Sequence, residues 1–149
     1  MFKDITLLLP DHRASDTAIS LLAEAVEDMT FDIIAAPEAR GFILAAPLAR
    51  HCGVGLALIR KPGKLSAATL SHTYSLEYGN DTLEMHADCF ETMDSPKVLI
   101  VDDLLATGGT AAASAELIKK AGGLPVSKAV LIELATLNGR EALSTVTVR

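Results

Sequence analysis

Cysteine and aromatic residues are scarce in this chain of 149 residues, and each shortage limits what the protein can be. The two cysteines, Cys52 and Cys89, show no CxxC pair and no metal-binding spacing, and they could form at most one disulfide. We interpret them as free thiols of a cytosolic protein. Aromatic residues make up 4% of the chain and apolar residues 50%. We therefore expect one domain, residues 1–149, with a core of Ala, Leu, Ile and Val.

Positive charge and long apolar runs are also lacking. The formal net charge is −6, which argues against nucleic acid or an anionic membrane surface as a partner. No apolar run reaches the roughly 18 residues of a membrane span, and Lys3 and Asp4 interrupt any signal-peptide pattern. We expect a soluble, cytoplasmic protein in which local basic clusters hold any anionic substrate.

Common nucleotide-binding and metal-binding motifs are missing as well. The pattern GxxxxGK[ST] does not occur, and the only GxG, at residues 53–55, lacks the third glycine of a dinucleotide fingerprint. The histidines contain no pair at metal-ligand spacing, so we expect no metal site made of protein side chains.

Helical and strand patterns alternate along the chain, which predicts an α/β fold with a mainly parallel sheet flanked by helices. Active sites in such sheets lie beyond the carboxyl ends of the strands. Helices are predicted at 17–29, capped by Ser15 or Asp16, and at 40–51 and 107–121; strands are predicted at 31–36, 54–59 and 126–134, together with a hairpin whose arms, 69–78 and 82–87, are joined by residues 79–81.

Residues 98–110, VLIVDDLLATGGT, form the most informative motif. An apolar strand ends in Asp102 and Asp103, and a turn of small residues then opens a helix. Exposed amides at a helix N-terminus bind phosphate, and carboxylates accept hydrogen bonds from vicinal hydroxyls. The motif therefore indicates a ribose phosphate, although a buried strand followed by an ordinary capped helix is the alternative. The phosphate-binding candidates are Ala106, Thr107, Gly108, Gly109 and Thr110.

Two further motifs follow predicted strands. Arg40, in the segment 37–42, can combine its guanidinium group with helix N-terminal amides to hold a diphosphate. Arg60, Lys61 and Lys64 place three positive charges in a short loop of an acidic protein. A solvated arginine and a solvated charged loop are the alternatives. Their positions at strand ends favour contact with pyrophosphate.

Several motifs together resemble one enzyme family over essentially the entire chain. RKPGKL at 60–65, YSLEYG at 74–79, LEMH at 83–86 and VLIVDDLLATGGT at 98–110 are similar to those of adenine phosphoribosyltransferases, which are type I phosphoribosyltransferases. FKDIT at 2–6, EARGF at 38–42 and ELATLNGR at 133–140 extend the match. The resemblance implies transfer of the phosphoribosyl group of phosphoribosyl pyrophosphate (PRPP) to adenine, giving AMP and pyrophosphate. It also implies Mg²⁺ held by PRPP oxygens and water, a mobile hairpin lid at about 60–87, and a homodimer.

The same resemblance implies roles for individual residues. Residues 106–110 would hold the 5′-phosphate, and Asp102 and Asp103 the ribose hydroxyls. Phe2 and Leu134 would sandwich the adenine ring, and the main chain of Phe2 and Lys3 would meet its hydrogen-bonding edge. The lid would bring in Glu77, a candidate general base or electrostatic partner of the purine, and Tyr78; with Arg40 these are the candidate catalytic residues. Pyrophosphate would be bound by Glu38, Ala39, Arg40, Arg60, Lys61 and Lys64, with Glu38–Ala39 a candidate cis peptide.

Departures from the family pattern leave the choice of base open. The sequence begins at the adenine-binding loop, which predicts a truncated N-terminal hood. Lys3 stands where arginine is common, and Ser66 replaces a proline at the base of the lid. Transfer to another purine base is therefore one alternative. A non-catalytic domain that senses PRPP or a nucleotide is another, although retention of Glu77, Tyr78 and the basic loop argues against it.

Overall fold

A five-stranded parallel sheet forms the centre of the protein, and its strands lie in the order Gly55–Ile59, Ile33–Pro37, Lys97–Leu105, Leu124–Glu133 and Thr147–Val148. The structure, a computed structural model, describes residues 4–76, 78–143 and 146–149. The sheet strands are β1 (Ile33–Pro37), β2 (Gly55–Ile59), β5 (Lys97–Leu105), β6 (Leu124–Glu133) and β7 (Thr147–Val148). All four pairings among them are parallel, which confirms the predicted sheet. Parallel pairing also places the carboxyl ends of β1, β2, β5 and β6 along one edge.

Helices cover both faces of this sheet. Two of them, α1 (His12–Val26) and α2 (Arg40–Cys52), pack on one face, and α3 (Gly109–Lys120) packs on the other. Neighbouring residues of the central strands alternate between the two cores: Leu99 belongs to the α1–α2 core and Ile100 to the α3 core. Both cores consist mainly of aliphatic side chains, as the composition predicts.

The helix boundaries differ in part from those predicted. Helix α1 begins at His12 rather than 17, because Asp11 caps it by accepting hydrogen bonds from the amides of Arg13 and Ala14. Helix α2 ends before Gly53, whose φ of 70° is left-handed, as expected. Within the described residues no helix is long and apolar enough to cross a membrane.

A separate antiparallel hairpin, β3 (Thr69–Leu76) and β4 (Gly79–His86), packs against α3. The predicted turn at 79–81 is wrong: Leu76 pairs with Gly79, and Asn80 and Asp81 belong to β4. Turn-forming residue types led to that prediction, but the ladder continues through them. Reciprocal main-chain hydrogen bonds between Arg60 and Glu84 tie the hairpin to the end of β2.

Candidate active site

A cavity of about 220 Å³ lies at the carboxyl edge of the sheet, where the motifs at 37–42 and 98–110 meet. The turn after β1, the start of α2, the segment from β5 to α3, and β6 contribute to it, although they are distant in the chain. Its lining consists of Glu38, Arg40, residues 102–111 and Lys128.

The loop 106–110, termed the phosphate loop below, links β5 to α3. Gly108 has a left-handed φ of 86°, so α3 begins at Gly109 rather than at the predicted 107. A Cβ on Gly108 would overlap the carbonyl oxygen of Gly139 and lie 2.7 Å from the Cβ of Ala142. The loop is therefore packed directly against the 3₁₀ segment Gly139–Leu143. This packing fixes amides at the N-terminus of a 12-residue helix, an arrangement that binds phosphate.

Asp102 lies within β5 and is partnered by a buried lysine. Lys128, on β6, is 1% exposed, and its Nζ donates to Asp102 Oδ2 at 3.2 Å. The amide of Asp103 donates to the other oxygen, Oδ1, at 2.9 Å. Burial raises the pKa of the Asp102 carboxyl, Lys128 opposes that rise, and the neighbouring Asp103 adds to it. Each carboxylate oxygen keeps lone-pair capacity for a ligand hydroxyl.

Asp103 is paired with the arginine of the second motif. Arg40 Nε lies 2.5 Å from Asp103 Oδ2, and this hydrogen bond raises the pKa of the guanidinium group. The Arg40 side chain is 34% exposed, whereas that of Asp103 is 7% exposed. Arg40 is the first residue of α2 and follows a Glu38–Ala39 peptide bond that is cis, as the resemblance suggested.

Glycine at position 41 allows the close approach of α2 to β5. A Cβ there would lie 3.1 Å from the carbonyl oxygen of Val101 and 3.2 Å from Asp102 Oδ1. Contacts this close leave little room for a side chain at position 41. Gly41 thus brings the N-terminus of α2, and Arg40 with it, next to the two aspartates.

The basic loop after β2 is held by carboxylates rather than solvated along its length. Arg60 Nε donates to Glu38 Oε2 at 2.7 Å, and its guanidinium carbon lies 5.8 Å from the centre of the Phe42 ring. Lys61 pairs with Asp81 of the hairpin. Lys64 is exposed and does not line the cavity around the aspartates. Glu38, which lines the cavity, thus forms an ion pair with Arg60 and keeps the guanidinium group of Arg60 beside the cavity.

Tyr74 is the hairpin residue that contacts the phosphate loop. Its hydroxyl lies 3.2 Å from Thr110 Oγ1 and 3.2 Å from Asp81 Oδ2, and burial raises its pKa. Its ring lies 3.6 Å from the position of a Cβ on Gly109. Tyr78 is 93% exposed and borders a shallow groove that Thr107 and Gly109 also line. Glu77 lies outside the described residues.

The candidate adenine-binding residues are only partly covered by the structure. Phe2 and Lys3 lie outside the described residues. Leu134 follows β6, is half-buried, and its amide donates to the carbonyl oxygen of Leu105 at 2.9 Å. This hydrogen bond places Leu134 beside the end of β5, next to the phosphate loop.

Sequence reasoning missed two residues that the structure brings to the site. Lys128 lies within the apolar stretch of β6, and a lysine inside a strand that is covered on both faces is a signal that could have identified it. Tyr74 belongs to the recognised YSLEYG motif, but its contact with Thr110 depends on how the hairpin folds back.

Comparison with known proteins agrees with this geometry. The family model "Phosphoribosyl transferase domain" matches residues 6–145. The chain is 55% identical over 142 residues to the adenine phosphoribosyltransferase of Thermoanaerobacter sp. strain X514, covering 95% of this chain and 81% of that one.

Solved structures of adenine phosphoribosyltransferases also superpose closely on this chain. The adenine phosphoribosyltransferase of Thermoanaerobacter pseudethanolicus superposes with a TM-score of 0.95 at 52% identity, over 99% of this chain and 85% of that one. The Saccharomyces cerevisiae enzyme, solved with an imino-altritol bisphosphate and adenine, gives a TM-score of 0.89 at 33% identity, with 99% and 85% coverage. On this fold, this cavity and these matches, the chain belongs to the adenine phosphoribosyltransferase family.

Proposed function

We propose that this protein transfers the phosphoribosyl group of PRPP to adenine, forming AMP and pyrophosphate in purine salvage. The observation that carries the proposal is that one cavity is lined both by the phosphate loop and by two adjacent carboxylates, Asp102 and Asp103. A helix N-terminus and a pair of carboxylates match the 5′-phosphate and the vicinal hydroxyls of one ribose phosphate. The membership of the family supports adenine as the acceptor.

Binding of PRPP would use the two ends of the cavity differently. The amides of residues 106–110 and the hydroxyls of Thr107 and Thr110 would donate to the 5′-phosphate. Asp102 and Asp103 would accept from the ribose hydroxyls, which orients the anomeric carbon toward the base. Holding the sugar at both ends would align its anomeric carbon for displacement of pyrophosphate by the base.

Pyrophosphate would occupy the side of Arg40. That guanidinium group is partly exposed and can turn from Asp103 to the phosphate oxygens, with Arg60, Lys61 and Lys64 adding positive charge from the loop after β2. The cis Glu38–Ala39 segment precedes Arg40 in the same turn. These groups would stabilise the negative charge that develops on the leaving pyrophosphate.

We further propose that Mg²⁺ arrives bound to PRPP. Asp102 and Asp103 already accept hydrogen bonds from Lys128 and Arg40, and the described residues contain no cluster of three His, Cys, Asp or Glu side chains able to hold a metal. A hard cation held by substrate phosphates and water fits such a site. The ion would neutralise charge on the pyrophosphate.

Adenine would bind beside the anomeric carbon, between Leu134 and Phe2, with the main chain of Phe2 and Lys3 at its edge. Closure of the hairpin would bring in Glu77 and Tyr78 and exclude water from an oxocarbenium-like transition state. The yeast relative's complex with adenine supports a base site in this fold. A homodimer in the cytoplasm is the expected assembly and location; sedimentation analysis tests the former.

The direct test is to measure AMP and pyrophosphate from PRPP, with adenine, hypoxanthine, guanine and xanthine supplied separately and Mg²⁺ varied. Formation of AMP with adenine alone, dependent on Mg²⁺, is the expected result. Turnover with a different base would overturn the proposed acceptor, and intact PRPP released after binding would instead support a sensor.

A further inference from the structure

Lys128 is the most unusual residue of the site, because a lysine is rarely buried completely. We infer that Lys128 is a positioning residue: it keeps Asp102 ionised and oriented for a ribose hydroxyl, as a permanent counter-ion inside the closed site. The inference rests on the proposed function, since it assigns the ribose to Asp102.

The strand register explains how Lys128 reaches the site. Lys128 lies opposite Ile100, whereas Asp102 lies opposite Val130, two residues further along β6. Residues two apart in a strand share a face, so the lysine side chain extends diagonally along the sheet to its carboxyl edge. Its Nζ ends 3.2 Å from Asp102 Oδ2 and borders the cavity. The aliphatic stem is thereby buried while the ammonium group meets a carboxylate.

The charges around Asp102 show why such a partner is needed. Asp103 is its neighbour in the same strand, Arg40 comes from α2 and Glu38 from the turn before α2, and all three line the cavity with Lys128. Burial and the charge of Asp103 both raise the pKa of Asp102, so these two effects favour the protonated form. A protonated carboxyl has fewer acceptor sites for ribose hydroxyls. Lys128 acts in the opposite direction and holds one oxygen in place.

The two aspartates have counter-ions of different kinds. Arg40, at 34% exposure, lies on the open side of the site and is proposed to turn to pyrophosphate when PRPP binds. The Lys128 side chain, at 1% exposure, is almost completely buried at the lining of the same cavity. When Arg40 leaves Asp103, Lys128 is the cation that remains beside the carboxylate pair. Asp102 therefore stays charged while the lid excludes water.

The test compares Lys128→Met, which removes the charge at similar length, with Lys128→Arg, which retains it. Lys119→Met is the matched control, because Lys119 is exposed on α3 and pairs with Glu116 outside the site. Calorimetry would give the affinities for ribose 5-phosphate, which has the phosphate and the diol, and for pyrophosphate, which has neither the ribose nor the diol.

We expect Lys128→Met to weaken ribose 5-phosphate binding by about tenfold or more, because it removes the charge-assisted hydrogen bond that orients Asp102. Pyrophosphate affinity should stay within about twofold of wild type. In a pH series, the loss of affinity on acidification should begin at a higher pH in Lys128→Met than in wild type, because removal of the lysine lets the Asp102 pKa rise further. Lys128→Arg should restore most of the affinity. Equal weakening of both ligands with an unchanged pH profile would overturn the inference.

A double-mutant cycle decides whether Lys128 acts through Asp102. With Asp102→Asn in place, the further change Lys128→Met should leave ribose 5-phosphate affinity unchanged within about twofold. A tenfold further loss would show that Lys128 acts independently of Asp102. This comparison uses only Asp102→Asn and the double variant, so it does not require Lys128→Met alone to fold; the double variant carries neither buried charge. The cycle measures binding of ribose 5-phosphate and does not require turnover. If the wild-type protein formed no AMP, the proposed function would be refuted, but the binding cycle could still be interpreted.

Discussion

Gly108→Ala is the substitution for which the structure gives the sharpest expectation. The residue has a φ of 86°, and an added Cβ would overlap the carbonyl oxygen of Gly139 and lie 2.7 Å from the Cβ of Ala142. The left-handed conformation costs alanine about 1–2 kcal/mol. Overpacking against backbone costs typically about 1–3 kcal/mol more. We expect a total loss of about 2–5 kcal/mol in the free energy of unfolding.

Gly122→Ala is the matched control for this substitution. Gly122 has a φ of 92°, but nothing lies within 4 Å of its added Cβ. It should therefore lose only the conformational cost, about 1–2 kcal/mol. Thermal unfolding should show the difference, because about 1 kcal/mol shifts the midpoint by about 2–4 °C in a domain of this size.

Gly108→Ala and Gly122→Ala should also differ in ligand binding, because only Gly108 belongs to the phosphate loop. Relief of the clash in Gly108→Ala must displace the loop, and loss of one amide donor to an anion weakens binding by about 1.5–3 kcal/mol. PRPP affinity should therefore fall by about tenfold or more in Gly108→Ala and remain near wild type in Gly122→Ala. Equal stability and equal PRPP affinity of the two variants would refute the packing argument for the loop.

Three further predictions concern the lid and the pyrophosphate side. Tyr74→Phe removes the hydroxyl that meets Thr110, so hydrogen exchange in the hairpin should accelerate by an amount equivalent to about 0.5–1.5 kcal/mol, and unchanged protection would count against that contact. Arg40→Lys loses the planar fork, and kcat/KM for PRPP should fall by about tenfold or more; an equal loss of ribose 5-phosphate affinity would contradict a pyrophosphate role. Glu77→Gln should lower turnover far more than PRPP affinity, and equal losses would argue against its catalytic role.

The motifs predicted most of the site because each follows a strand of a parallel sheet. Asp102 lies near the carboxyl end of β5, Arg40 begins the helix that follows β1, and Arg60 directly follows β2; the carboxyl ends of these parallel strands meet at one edge. The order of those motifs along the chain, together with the alternation of elements, was therefore sufficient for the fold class and for the ribose-phosphate chemistry.

Local signals failed where longer-range pairing competed with them. Gly79, Asn80 and Asp81 have the composition of a turn, yet Asn80 and Asp81 extend the ladder opposite Ser75 and Tyr74. The start of α1 was placed too late because apolar spacing outweighed the cap; Asp11 binds two free amides at the true N-terminus. Cross-strand pairing thus decided the hairpin boundary, whereas a local cap at Asp11 decided the start of α1.

The sequence by itself determined the fold class, the family and the chemical groups of the site, because periodicity and motif spacing are properties of the chain. Only the tertiary structure decided how the charges are paired. Lys128 meets Asp102 across neighbouring strands, Arg40 meets Asp103 across the sheet edge, and Lys61 meets Asp81 in the hairpin. Such partners are far apart in the chain, and strand register and burial, rather than spacing, select them.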